Sequence, residues 1–539
     1  MQDFGTYDYV VVGAGSAGCV LANRLSADPS TKVLVLEAGG RDNWIWFHIP
    51  VGYLFAIGNP RADWMYTTKP IAGLGGREIP YPRGKVIGGC SAINAMVYMR
   101  GQAADYDGWR QLGLTGWGWD DVLPFFKRHE DHAAPPNDSH AAGGEWRVEH
   151  PRVRWQLLDA IRDAAEAAGI PKIADFNTGD NEGSSYFQVN QRRGRRVSAA
   201  RAFLKPVLNR PNLRLETGIM VDKVEIADGQ ARAIVFSRGG EVFRAAVSGE
   251  VILSAGAINS PAILERSGVG DAERLQAIGI ASVHHLPGVG ENMQDHLQIR
   301  PVYKVSGVRS LNTDYYNLLR RAWMGVEYGL FRKGALTMAP SQVGAFTRSS
   351  PDYETANIQY HFQPLSLDKW GDGLHRFGAF TASVANLRPS SRGSVHAASA
   401  DPAQQPLIDP NYLDTDEDKR VAVDSLRITR DIVAQKPLAS FRPEEYLPGP
   451  SIQSPGEMVE AAGRISSPIF HPVGTAAMGM ASDPRAVLDE RLRIHGIRGL
   501  RVIDASAMPR IVSGNTNSPT IMIAEKGAAM VLEDARGRG

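Results

Sequence analysis

The sequence predicts an α/β protein in which distant stretches of chain share one parallel sheet and a second unit is inserted between them. Three observations predict it. Short runs rich in β-branched residues recur at Tyr9–Val12, Val33–Leu36, Val251–Leu253 and Leu500–Ile503, as buried parallel strands do. The first run passes straight into a glycine-rich turn and then a helical pattern, Cys19–Ser26. The stretch from Arg300 to Ser467 has another texture, with strand-like alternation at Asn357–Phe362 and Gly393–His396 and a charged helix over Asp416–Gln435. Two of the apolar runs lie near the N-terminus, one mid-chain and one near the C-terminus, so a sheet that unites them makes its domain discontinuous.

A length of 539 residues suits two domains, each with its own core. Lys plus Arg number 59 against 58 Asp plus Glu, a net charge of +1, which argues against nucleic acid or an anionic membrane as the main partner. With 43% apolar and 22% charged residues the chain is not of the disordered class. Two cysteines, Cys19 and Cys90, exclude a disulfide scaffold and are too few for a cysteine zinc site, and no metal is expected. The N-terminus lacks the basic segment of a secretory signal, and no window has the apolar length of a membrane helix. The expected location is the cytoplasm, at most in peripheral contact with the inner face of a membrane. Proline-rich breaks at Ala134–Asn137 and Pro437–Pro455 read as surface loops.

The turn after the first strand is Gly13-Ala14-Gly15-Ser16-Ala17-Gly18. This is G-x-G-x-x-G between a strand and a helix: Gly13 permits the tight turn, Gly15 lets backbone approach a pyrophosphate, and Gly18 allows helix and strand to pack closely. The helix N-terminus adds N–H groups and a positive dipole end for the phosphates. The second strand ends at Glu37, the spacing at which an acid receives ribose hydroxyls, which fits NAD or FAD and opposes NADP. The domain is thus Rossmann-like.

Further motifs follow in order. Gly84-Lys85-Val86-Ile87-Gly88-Gly89-Cys90-Ser91-Ala92-Ile93-Asn94 leads on to Asp105. Gly256-Ala257-Ile258-Asn259-Ser260-Pro261 precedes Ser267-Gly268-Val269-Gly270, with Ser260 and Pro261 placed as an N-cap and first helical residue. Leu286 to Asn292, Asp295-His296, Ser391-Arg392-Gly393, Asp409 to Tyr412, His471 to Thr475, Asp504-Ala505-Ser506 and Gly514 to Asn517 complete the series. In these motifs the chain resembles the glucose–methanol–choline (GMC) oxidoreductase family over nearly its whole length. Within the family it looks most like bacterial choline dehydrogenases and the long-chain alcohol and polyethylene-glycol dehydrogenases.

The resemblance implies FAD and a discontinuous Rossmann-like FAD-binding domain over 1–155, 196–300 and 468–539. It implies an α+β substrate-binding domain with an antiparallel sheet over 156–195 and 301–467. Val86, Asn94 and Val97 would line the flavin and pyrophosphate, Val221 would offer backbone to the adenine, and Asp504 and Ala505 would bring the last strand against the cofactor. Ala38, Gly88 and Asn517 join this set. Some members tether the flavin through a histidine, but the corresponding residue here is Ile93, so FAD is expected without a covalent link.

Oxidising an alcohol needs a base near the hydroxyl, and histidine titrates near working pH. Among 13 histidines, His471 matches the family's catalytic base and Asn515 its second catalytic position, where an amide steadies the forming alkoxide. Ser518 and Pro519 read as the N-cap and first residue of a C-terminal helix. The positive end of that helix would face Asn515 and Asn517 and stabilise charge near the flavin N1 and O2. The implied reaction is oxidation of a primary alcohol to the aldehyde by hydride transfer to flavin N5, with electrons passed to a quinone or similar acceptor. An oxidase that makes hydrogen peroxide and a flavin-containing lyase of the same fold are the alternatives. Gln342 falls where the resemblance places a glutamate in choline dehydrogenases, so a neutral alcohol is expected and not choline. His361 and Phe362, with the aromatic-rich stretch Trp44–Phe55, are expected to wall the substrate pocket. Oligomeric state is not legible in the sequence.

Overall fold

The structure, a computed structural model, describes residues 1–368 and 372–537. Its first sheet gathers strands from both ends of the chain. In chain order these are β1 (Gln2–Val12), β2 (Val33–Glu37), β3 (Leu213–Thr217), β4 (Met220–Ala227), β5 (Gln230–Arg238), β6 (Glu241–Leu253) and β7 (Leu500–Val502). The parallel order is β3-β2-β1-β6-β7, and the first half of β6 turns back into an antiparallel run with β5 and β4. Val10, Val11, Leu34, Val35, Val251 and Ile252 are fully buried, the reason these runs are apolar without alternation.

Helix α1 (Ser16–Leu25) follows β1 directly and buries eight of its ten residues. Gly18 is obligatory there, because a Cβ would lie 1.8 Å from the Gly13 carbonyl oxygen. Helix α2 (Gly256–Arg266) follows β6 and helix α3 (Asn517–Arg536) closes the chain against α1. Both begin before the positions the sequence indicates. Ser260 is not an N-cap but sits inside α2, its hydroxyl accepting from Ala255 N–H and donating to Asp504. Pro261 is inside the helix too, and Thr475 Oγ1 donates at 2.7 Å to the Ala257 carbonyl that a residue with an N–H at 261 would have used. Likewise α3 starts at Asn517 with Thr516 as its N-cap, so Ser518 and Pro519 lie in its first turn.

The second sheet is antiparallel, in the order Glu444–Leu447, Val302–Lys304, Ala379–Asn386, Ile358–Gln363, Val343–Thr347, Gly183–Tyr186. Leu297–Ile299 pairs with the far end of Ala379–Asn386 and with Ser467–Pro468, so the sheet takes in Leu297–Ile299 ahead of residue 301. The proline-rich stretch 437–455 is not all loop: Glu444–Leu447 is an edge strand, where prolines nearby cost no ladder bond. Helices Gln156–Ala167, Asp416–Val433 and Pro455–Ile465 cover one face of this sheet, packing Leu157, Leu426 and Met458 with Tyr360 and Phe362. The other face looks toward the glycine turns beside the first sheet, across the cavity. One helix, Leu318–Phe331, lies outside both cores, with Tyr328 its sole buried residue. Among the described residues no helix is long and apolar enough to cross a membrane.

Candidate active site

Between the two sheets lies a cavity of about 2050 Å³, larger than the roughly 300–1,000 Å³ of an ordinary ligand pocket. It runs from the β1–α1 turn to the open face of the antiparallel sheet. At the first end, Gly15 has an ordinary φ of −78°, and a Cβ there would meet protein no nearer than 3.9 Å. Nothing in the chain itself therefore demands glycine. The space a side chain would take belongs to the cavity, which fits a pyrophosphate lying against backbone at the α1 N-terminus. Glu37, Ala38, Ser16 and Ala17 line the same end. Glu37 accepts from Ala14 N–H at 2.8 Å and Gly39 N–H at 2.7 Å, and burial pushes its pKa up to about 7. Both carboxylate oxygens keep lone pairs for ribose hydroxyls. Ser16 Oγ and Asn517 Oδ1, 501 residues apart, are 2.6 Å apart across the cavity edge and join the two helix N-termini.

Of the remaining expected cofactor residues, Asn94, Val97, Val221, Asp504 and Ala505 line the cavity. Ala14, Gly18, Val86 and Gly88 do not. Gly88 stands one layer behind, its N–H donating to the Ala14 carbonyl at 2.6 Å, while Gly89 comes so close to Gly15 that a Cβ on it would lie 2.8 Å from the Gly15 Cα. Their part is to hold the glycine turn in shape. Asp504 accepts from Gly256 N–H and the Ser260 hydroxyl, tying β7 to the start of α2.

His471 and Asn515 meet at the junction of the two halves. His471 Nε2 is 3.1 Å from Asn515 Nδ2, and Gln359 Nε2 lies 3.5 Å from Asn515 Oδ1, which orients the amide with its NH₂ toward the ring. On the other side His471 Nδ1 is 3.1 Å from His296 Nδ1. His296 Nε2 is 3.1 Å from the Leu387 carbonyl, which can only accept. The hydrogen-bond network then assigns every proton: His296 carries its proton on Nε2, His471 donates from Nδ1 to His296, and His471 Nε2 keeps its lone pair. Burial, followed by the nearby His296, His361 and Arg83, holds the His471 pKa well below its ordinary 6.5, so the ring is neutral at neutral pH. Its backbone is fixed by Asp295, whose Oδ1 accepts His471 N–H at 2.6 Å and His296 N–H at 2.8 Å. The hydroxyls of Tyr81 and Tyr412 donate to the other oxygen of Asp295.

The substrate wall departs from expectation. Phe362 does not face the cavity; it points into the core and stacks on Tyr360 with centroids 5.2 Å apart. Its neighbour His361 does line the cavity, as strand alternation requires, with its ring against Phe187. Gln342 is buried outside the cavity lining, and its backbone, not its amide, makes the contacts to Phe187 and Phe362. Trp46, Tyr53 and Phe55 of the aromatic stretch do wall the cavity. The sequence marks Asp295 and His296 only as part of a motif and does not reveal their place beside His471. Nor does it mark Gln298 and Arg300 on the cavity wall. The available signal was the period-two spacing His296, Gln298, Arg300.

Comparison with known proteins agrees with this fold. Family models described as GMC oxidoreductase match residues 7–298 and 389–524. The chain belongs to the GMC oxidoreductase family. It is 41% identical over 530 residues to an alcohol dehydrogenase [acceptor] of Pseudomonas putida, covering 98% of this chain and 96% of that protein. It is 40% identical to the mitochondrial choline dehydrogenase of Homo sapiens, covering 97% and 89%. An FAD-dependent oxidoreductase from Chaetomium thermophilum superposes with a TM-score of 0.90 at 26% identity, covering 98% and 100%. As a GMC oxidoreductase the protein is an FAD enzyme acting on CH–OH donors, and the two-sheet cavity is the family's fold.

Proposed function

We propose that this GMC oxidoreductase oxidises a primary alcohol to the aldehyde, with His471 as base and a quinone or similar carrier as electron acceptor. The observation that carries the proposal is the pairing of a neutral His471 with the Asn515 amide at the cavity wall, Nδ2 3.1 Å from Nε2, where a substrate hydroxyl can take the amide's place as donor to Nε2. A hydroxyl bound there gives its proton to Nε2 while its oxygen accepts from Asn515 Nδ2. Bound FAD supplies the hydride acceptor, N5, for the adjacent C–H. Glu37, the Gly15 backbone and the α1 N-terminus hold the adenosine and pyrophosphate end. Anaerobic titration with primary alcohols tests the reading: the flavin should bleach, and His471→Ala should slow bleaching roughly 10²–10⁴-fold with FAD still bound. Asn515→Ala should cost less. Unchanged bleaching in His471→Ala would mean the base is another group.

FAD is held without a covalent bond in this proposal, since Ile93 lines the cavity where some relatives carry the tethering histidine. Acid precipitation should leave the yellow colour in the supernatant. The division into an FAD-binding domain and a substrate-binding domain is part of the same proposal, supported by the separate cores beneath the two sheets. Peripheral contact with a membrane completes it. Leu319, Trp323 and Leu330 on helix Leu318–Phe331 are 83%, 56% and 72% exposed, and Tyr315 and Met324 beside them line the cavity mouth.

A further inference from the structure

The segment from His296 to Arg300 forms one wall of the cavity. It is extended, and its side chains alternate: Leu297 and Ile299 pack with the sheet's core, while Gln298 and Arg300 line the cavity. His296, on the same side as these two, is the residue that holds His471. A single strand therefore carries the support of the reacting end and, four residues on, a guanidinium.

Arg300 is placed in an unusual way for an arginine. Most buried arginines here are paired or bonded: Arg100 with Glu130, Arg501 with Glu250, and Arg196 with Asn94 and backbone carbonyls. The Arg300 side chain is partly exposed and, among the described residues, its guanidinium forms no hydrogen bond or ion pair; partial burial alone lowers its pKa to about 10, with no carboxylate contributing. Four of the acids that line the cavity are held by other groups, and Glu78 and Asp372, which line it too, form no ion pair with Arg300. Glu37 and Asp504 hold backbone N–H groups at the dinucleotide end, Asp63 holds those of Gly58, Met65 and Arg83, and Asp368 pairs with His375. Gln298 donates to Ser467 Oγ and the Pro468 carbonyl and leaves the guanidinium alone. A partly exposed guanidinium with no carboxylate against it presents its donor fork to whatever anion enters the cavity.

We propose that Arg300 is a specificity residue that binds an anionic group, a carboxylate, at the far end of the alcohol substrate. This deepens the alcohol-oxidising function and rests on it. Four residues of extended chain put the anion on the order of 10 Å from the reacting carbon. Leu311, Leu336 and Leu365 line the same cavity and suit a hydrocarbon chain between the two polar ends. The substrate class is thus an ω-hydroxy carboxylate, and a quaternary ammonium alcohol is opposed by charge of the same sign. Arg300 binds bidentately to a carboxylate in a way lysine does not reproduce.

The test compares ω-hydroxyoctanoate with octan-1-ol by kcat/KM in wild type, Arg300→Gln and Arg300→Lys, each checked for bound FAD by its absorbance. Wild type should favour the hydroxy acid, the ratio should fall ~30–1,000-fold in Arg300→Gln, and Arg300→Lys should recover part of it. A second arm measures binding of octanoate, which cannot react, to the oxidised enzyme by perturbation of the flavin spectrum. Binding in wild type that is lost in Arg300→Gln supports the anion site even if neither alcohol reduces the flavin, a result that would overturn the alcohol chemistry alone. A wild-type preference for octan-1-ol, or a ratio unchanged in Arg300→Gln, overturns the Arg300 assignment.

Discussion

At His471 the proton rests on Nδ1 because His296 leaves it nowhere else to go. The Leu387 carbonyl takes the His296 Nε2–H, so His296 Nδ1 can only accept. His296 thereby sets which nitrogen of His471 carries the proton and which faces Asn515, and in the proposed reaction that is the nitrogen that acts as base. Burial and the neighbouring rings hold the His471 pKa well below 6.5, so the acid limb of kcat/KM should lie well below pH 6.5, with activity flat above it as far as this group is concerned. His296→Gln removes one of the neighbours that depress His471, and the acid limb should move up. The plateau should fall by roughly tenfold or more as the tautomer is freed. A pH–rate series of the two proteins checks both; an acid limb that stays put would show that His296 only fills space. His471 and Asn515 were legible from the sequence because each sits in a local motif. The part played by His296 was not, because it depends on a carbonyl 91 residues away.

Among the elements, the strand Glu130–His132 carries a network that the sequence did not announce. Arg100, Glu130, His140 and Asp175 come from four separate segments and meet in a buried chain: Arg100 Nη2 to Glu130 at 2.8 Å, His140 Nδ1 to Glu130 at 3.0 Å, and His140 Nε2 to Asp175 at 2.8 Å. Burial lowers the His140 pKa, but the two carboxylates outweigh it and the net shift is upward. Burial raises Glu130 and Asp175, but the His140 ring and their other donors outweigh it and hold each at about 2. The stability from His140 is therefore fully present below its ordinary 6.5 and is lost as pH rises through its raised folded value. That from Glu130 and Asp175 is present above their ordinary 4.5 and 3.8 and is lost as pH falls toward 2. His140→Asn should destabilise the protein by about 3 kcal/mol at pH 5 to 6, and the gap from wild type should narrow on both sides. Thermal unfolding of both proteins from pH 4 to 9 measures it; a pH-independent gap would mean that the ring is not charged.

For the molecule as a whole, the exposed apolar helix Leu318–Phe331 sits at the mouth of the cavity, and its ends are basic. Arg320 and Arg321 lie in the first turn, and Arg332 and Lys333 follow the last. The loop carrying the exposed Arg192, Arg193 and Arg195 packs against Arg332 at Gly194. This local charge runs against the expectation from a net charge of +1, since a total conceals its distribution. The protein should float with liposomes containing anionic lipid, and Leu319→Glu with Trp323→Glu should leave it in solution while FAD stays bound. Equal flotation of the two would end the proposal of membrane contact.

What the sequence by itself determined is the part that short stretches encode. The glycine turn after β1, the acid at the end of β2 and the motifs around His471 and Asn515 each specify local backbone or chemistry, and their order along the chain specifies the family. Only the tertiary structure decided which residues face the cavity. His361 and Phe362 are adjacent on one strand, so just one of them can line the cavity, and the register of the sheet chooses His361. Gln342 lies on the wrong side of a wall, while Gln298 and Arg300 lie on the right one. The physical reason is the two-residue period of a strand: a shift of one position turns a side chain from core to cavity, and that shift is set by pairing with strands far away in the chain.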